Sequence, residues 1–531
     1  MITLILYYTY TIILLMKYFT YFGNHLINAR IPNNSDIFYA KPPLPGIKRE
    51  AIREYTQKAF ENPLNMSPLR DLVDGNSKVL ILFDDNCQPF PATKKPDLRQ
   101  IMIETLLQML YSYGVDKKNI QLMCAVALHR KMKEAELTYM LGKNIMNEFY
   151  PNQLRNFDAE DSTQIVEVGK TENDEIVETD KVVLDSDLVI YVDMIQIPLN
   201  GGHKSVAVGL GTYNSIAPHH SPHMTAESPH VMQPDGSHMH ACIERMSRLI
   251  QKETPILVLE AAMNGALYPF HLKYVGKPNK DCNILEKVIK SFTPPTLSLL
   301  PESIRYKILK SVRTDYEPIG INAGDIDSVH EKTLDMMKEQ LSIDIPRQYS
   351  TLVFGLPDMS PYAVDARINP VLVVSDILGY VFNWFYNKPI IKENGVVIIM
   401  NPTFEIFHDE YHVAYKMFYD EVLSDTTEPF EMQQKYQEKY AKDEFLIDCY
   451  RNKFAHHGFH PFTVWYWATY PLKYLSKVIL VGPKDPGVAK RLGVDWAKNL
   501  DDALAMAREI SGDDDVVALT MPPFFYANVL S

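Results

Sequence analysis

Cysteine is scarce in this chain. The five present, Cys87, Cys124, Cys242, Cys282 and Cys449, are odd in number, scattered, and form no C-x-x-C pair. That excludes a disulfide framework and a thiolate zinc site, and it points to a reducing compartment, the cytoplasm. Positive charge is also short. With 53 Lys and Arg against 66 Asp and Glu, the formal net charge is -13, which argues against nucleic acid as a partner. A bound phosphate must therefore be held locally, by loop amides, a helix N-terminus or a single lysine. There is no G-x-G-x-x-G fingerprint, Walker loop, G-x-S-x-G elbow or internal repeat, so dinucleotide, P-loop and serine-hydrolase readings have no anchor. The apolar run at 2–16 (ITLILYYTYTIILLM) is shorter than the roughly 18–20 residues of a spanning helix. It lacks the basic flank and clean cleavage site of a signal peptide. The readings open for it are translation starting at Met16, a membrane anchor, or an extra strand; stable membrane association is not expected.

What is present is a globular balance, 46% hydrophobic and 22% charged over 531 residues, long enough for two domains. One run stands out: Asn200-Gly201-Gly202-His203-Lys204-Ser205. Two glycines let backbone approach a ligand closely. The lysine beside them can meet a phosphate or, when desolvated, act as a nucleophile. Seven of the 16 histidines follow between 203 and 240, and imidazoles are ligands for borderline transition metals. Together these residues point to an anionic, metal-bearing cofactor.

Apolar runs at 79–83, 120–126 and 188–192 read as buried strands, with a helix after the first (Pro96 early, Gly114 past its end) and another from about 133. This alternation predicts an α/β fold of two domains, each with a mainly parallel sheet flanked by helices. Ligands of such sheets bind beyond the carboxyl ends of the strands, where the loops at Asp85, His129 and Lys204 fall. The Pro-rich stretch FTPPTLSLLP at 292–301 reads as a boundary, dividing 17–290 from a second α/β domain at 300–531. The aromatic cluster from His457 to Trp467 reads as inter-domain packing.

In this order the loops resemble the nickel-pincer nucleotide-dependent lactate racemase family. Its Asp-x-x-Arg-Pro loop corresponds to Asp85-Asn86-Cys87-Gln88-Pro89, and its Gly-Thr-His-Arg strand end to Ala127-Leu128-His129-Arg130. Its Gly-Gly-Arg-Lys corresponds to Gly201-Gly202-His203-Lys204, and a later histidine to His220 or its neighbour His219. Ser237-His238-Met239-His240 matches a further helix-start motif.

The resemblance implies an inter-domain active site and a nickel-pincer nucleotide (nickel pyridinium-3,5-bisthiocarboxylic acid mononucleotide), installed by cofactor-biosynthesis enzymes. Lys204 would tether it, His220 or His219 would bind nickel, and Asp85, Gly201, Gly202 and Arg130 would hold it. His129 would be the base acting on a small 2-hydroxy acid, contacted by Gln88 and His203. Two departures matter. The family's second catalytic histidine falls on Met194, and its carboxylate-binding arginine becomes Gln88, which forfeits a bidentate charge pair. The expected activity is therefore racemisation or epimerisation of a 2-hydroxy acid other than lactate. The alternatives are a non-catalytic cofactor- or metal-binding homologue and a one-base redox enzyme with the same cofactor.

Overall fold

The computed structural model describes residues 18–228 and 231–531; the apolar run at 2–16 and His230 lie outside the described residues. The strand–helix alternation builds two six-stranded sheets. In the first, the spatial order is Pro318–Gly324, Ile256–Met263, Leu188–Ile195, Val79–Asp84, Ile120–Ala125 and Leu154–Asn156. All neighbours are parallel except the first pair. Every residue of the three middle strands from Ile256 to Asp84 is buried, which is why they read as continuous apolar runs and not as alternating ones. The second sheet is parallel throughout, in the order Asp495–Ala497, Lys477–Val481, Ile391–Met400, Tyr349–Gly355, Val516–Thr520 and Asp36–Tyr39.

The sheets do not follow a division of the chain at 290–300. Asp36–Tyr39 pairs with Val517–Thr520 and covers what would be an open edge of the second sheet. Pro318–Gly324 closes the far edge of the first sheet, and the helix Ile326–Leu341 packs on it. The chain thus starts in the second unit, runs through the first and returns. The Pro-rich stretch is not a linker either. It belongs largely to the helix Ile284–Ser298, which Asn283 and Glu286 cap reciprocally. Pro294 and Pro295 lie in the last turns and end the helix soon after them.

In the first sheet the order of connections reverses between Val79–Asp84 and Leu188–Ile195; in the second it reverses between Tyr349–Gly355 and Val516–Thr520. Reversal leaves a crevice at the carboxyl ends of the strands. The two crevices face each other. The residues following both pairs of strands line one cavity of about 200 Å³ between the units.

Candidate functional site

The first wall is the loop after Val79–Asp84. Arg99 holds it from below. Its guanidinium, 2% exposed, donates to Asp97 (Nε, 2.9 Å; Nη2, 3.1 Å) and, through Nη1, to the carbonyls of Asp84 (2.9 Å) and Asp85 (2.6 Å). Asp97 also caps the helix Leu98–Ser112, so helix start and loop are one hydrogen-bonded unit. Nothing local in the sequence marks Arg99 as a residue of the site.

The Asp85 carboxylate accepts from the Cys87 amide (2.9 Å) and from Nδ1–H of His129 (2.7 Å). Burial pushes the Asp85 carboxyl up, but the His129 imidazole and the contacts with Cys87 outweigh it and hold it below its ordinary value. An ionised Asp85 fixes the His129 tautomer and leaves Nε2 as a proton acceptor. Asp85 therefore orients the candidate base, a different duty from the cofactor contact expected of it. Asp85, Cys87 and His129 offer metal-ligand atoms within 4.8 Å of one another. However, burial and Asp85 push the Cys87 thiol well up, so it stays protonated and is a poor ligand.

His129 itself sits after a turn at Ala127 (φ 50°). The other unit pins this turn: Tyr450 Oη donates to the Ala127 carbonyl (3.1 Å) and the His457 amide to that of Leu128 (3.1 Å). Next to it, Arg130 turns away from the cavity. It pairs with Glu136 (2.5 and 2.9 Å) and lies over the Tyr411 ring at 4.2 Å. With its fork spent there, Arg130 does not line the cavity where a cofactor contact was expected of it.

The second wall is the glycine loop. Gly201 (φ 83°) and Gly202 (φ 60°) adopt left-handed backbone conformations. A Cβ on Gly202 would stand 2.6 Å from the His330 ring, and one on Gly201 2.5 Å from Glu260. The loop rests directly on that pair: Gly202 N–H donates to Glu260 (2.8 Å), which also accepts from His330 Nδ1 (3.0 Å). Lys204 then opens the helix Lys204–Gly209 and lines the cavity. Burial pulls its ammonium pKa down, against the pull of Cys87, Asp84 and Asp193, the direction that makes an amine nucleophilic. His203 faces the other way. Its ring contacts Asp327 (Nε2, 3.0 Å) and Ser247 (Nδ1, 3.1 Å) and does not line the cavity, where substrate contact was expected of it.

His220, at the end of the helix Tyr213–His219, lines the cavity and packs against Trp467 (ring centroids 5.5 Å). His219 does not line it; it lies behind, with its Nδ1 2.8 Å from that of His220. Of the two, His220 is the one placed to meet a ligand. Burial, reinforced by Lys204, pulls its pKa down to about 3, leaving the neutral imidazole that metals bind.

The third wall comes from the second unit. Asp376 and Tyr380 open and close a π-helical turn, Asp376–Tyr380, a distortion frequent at functional sites. Burial pushes Asp376 up to about 8, and its Oδ1 has no partner. At neutral pH it is a carboxylic acid able to donate a hydrogen bond. His460, Thr463 and Trp467 complete the wall. The aromatic cluster is therefore divided: His457 ties the units together through Leu128 and Glu160 (3.0 Å), while His460 and Trp467 face the cavity. Met194 is fully buried and does not line it.

Residues 22–232 match the lactate racemase N-terminal domain family. This part of the chain is similar to lactate racemases. It is 26% identical over 173 residues to the lactate racemase of Lactiplantibacillus plantarum, 32% of this chain and 38% of that protein. It is 22% identical over 171 residues to the lactate racemase of Thermoanaerobacterium thermosaccharolyticum, with the same two shares. The matched region thus spans less than half the length of these curated relatives. The structure of the lactate racemase apoprotein from the latter organism superposes with a TM-score of 0.61 at 15% identity, covering 97% of this chain and 99% of that one. The chain therefore shares the fold of that apoprotein, well beyond the part its sequence matches. Among the described residues, no helix is long and apolar enough to cross a membrane.

Proposed function

We propose that the chain is a racemase or epimerase of a 2-hydroxy acid other than lactate, working with a nickel-pincer nucleotide attached at Lys204. The observation that carries this reading is the convergence of Lys204, His220 and the Asp85–His129 pair on one cavity. The donor set fits the cofactor: a buried amine with a lowered pKa for the tether, a neutral imidazole for the metal, and glycine-loop backbone beside both. Buried oxygens without partners at Gln88 and Asp193 add polar groups suited to a ligand. When bound, such a cofactor supplies an acceptor for the hydride on C2 of the substrate.

The chain's own residues do the rest. His129 Nε2 takes the hydroxyl proton, and Asp85 stabilises the imidazolium that forms. Gln88 and the neutral Asp376 donate to the substrate carboxylate without the charge an arginine would bring. That weaker anchor favours substrates with further polar groups over lactate. Enclosure between the two units excludes water from the reacting carbon. The test is intact-protein mass and nickel content after expression with the cofactor's biosynthetic enzymes. A covalent adduct mapping to Lys204, with bound nickel and lost in Lys204→Ala, is the expected result. An unmodified, nickel-free chain from cells that load a known lactate racemase would move the reading to a non-catalytic binding protein.

A further inference from the structure

We infer that His460 is the second proton-carrying imidazole of this site, taking the part left open at Met194. The inference rests on the racemase reading above. A racemase needs an acceptor for the hydroxyl proton of each enantiomer. Consider two enantiomers bound with carboxylate and C2–H in the same places: hydroxyl and side group then exchange positions. The two hydroxyls lie one tetrahedral edge apart, so the two acceptors must be neighbours.

His460 and His129 are neighbours of this kind. Their ring centroids are 5.0 Å apart, nearly perpendicular, and both line the cavity. They are also anchored alike. His129 Nδ1 is held by Asp85 (2.7 Å) and His460 Nδ1 by the Tyr415 hydroxyl (2.7 Å). Among the described residues, neither Nε2 has a hydrogen-bond partner. The units divide the pair between them: His129 follows the turn after the strand Ile120–Ala125 of the first sheet, and His460 opens the helix His460–Tyr466 of the second unit. Tyr362 packs against both rings (5.2 and 4.8 Å) and fixes their spacing.

The step balances as a proton transfer coupled to hydride departure. The substrate O–H bond breaks and an N–H bond forms at one Nε2. Hydrogen leaves C2 with its electron pair for the acceptor named above, and the substrate becomes the 2-keto acid. Return of hydride to the opposite face draws the proton from the other imidazole. Tyr415 is a positioning residue, acting on the substrate only through His460.

The test uses His460→Gln, His129→Gln and Tyr415→Phe with separate D and L forms of glycerate. In the cofactor-free chain, histidine Cε1–H resonances are assigned from the variants; D-glycerate should shift one of the two resonances and L-glycerate the other. In the loaded protein, racemisation should fall at least about 100-fold in either glutamine variant. A single turnover to the 2-keto acid should survive for one enantiomer in His460→Gln and for the opposite one in His129→Gln. Tyr415→Phe, which keeps the packing, should weaken the same enantiomer as His460→Gln. Racemisation retained in His460→Gln, or both glutamine variants losing the same enantiomer, would overturn the assignment. Loaded wild-type protein that turns over neither enantiomer of glycerate nor of any other 2-hydroxy acid in a panel would overturn the racemase reading itself, separably from the choice of base.

Discussion

Acidification should draw stability from this protein's neutral imidazoles well before ordinary carboxylates protonate. His412 shows why. Its Nδ1 accepts from the Asn369 amide (3.3 Å) and faces the His408 amide (3.4 Å), while Nε2–H donates to the Tyr362 carbonyl (3.2 Å). A second proton, on Nδ1, would point at two donors. Burial is the largest cause of its depressed value, about 4. His240, also lowered chiefly by burial, lies at about 3. Both are depressed relative to an unfolded value near 6.5. The unfolded chain therefore binds more protons below that value, and the neutral folded form loses stability as pH falls from about 6.5 toward 4 or 3. At about pH 5 the gap from the unfolded value is roughly 1.5 units, worth ~2 kcal/mol per imidazole. His219, His456 and His460 shift in the same direction. His412 and His240 together remove ~4 kcal/mol, while Asp376, pushed up to about 8, and Asp358, pushed up to about 6, bind protons in the folded chain and return stability over the same range. Urea unfolding of the cofactor-free chain at pH 7.5 and about pH 5, followed by far-ultraviolet circular dichroism, measures the loss. Relative to wild type, His412→Gln should gain about one imidazole's share, ~2 kcal/mol, between pH 7.5 and about pH 5. An unaltered pH dependence in the variant would refute the reasoning.

Two further outcomes follow from the site. Asp85→Asn should leave cofactor attachment intact but release the His129 tautomer, cutting turnover by about 10²–10⁴-fold, as loss of an orienting carboxylate does; steady-state rates on loaded protein check it. Gly202→Ala places a methyl against the His330 ring in a left-handed backbone region. It should cost ~1–3 kcal/mol and lower loading at Lys204, read by intact mass together with a urea midpoint.

Much of the architecture was legible because it is local. Fully buried parallel strands carry unbroken apolar runs, and the crevice follows from strand order. The loops at Asp85, His129 and Lys204 therefore met where expected, between the two units. What escaped the sequence depends on direction and distance. Arg130 and His203 are chain neighbours of site residues, but each turns to a carboxylate of its own, Glu136 and Asp327. His460 lies 331 residues from its partner His129, inside a helical insertion whose aromatic content reads equally as packing. The exchange of Asp36–Tyr39 and Pro318–Gly324 between sheets leaves no local signal either, since a four-residue edge strand looks alike wherever it docks.

Under the proposed function the hydrogen on C2 moves as hydride within an enclosed site while only the hydroxyl proton passes through imidazole. Racemisation by loaded protein in deuterium oxide, starting from one enantiomer of glycerate and followed by proton NMR and chiral chromatography, tests it most directly. The account predicts a mixture of enantiomers in which C2 keeps its original hydrogen. Deuterium at C2 in step with racemisation would show a carbon acid deprotonated by the imidazoles, and would contradict it.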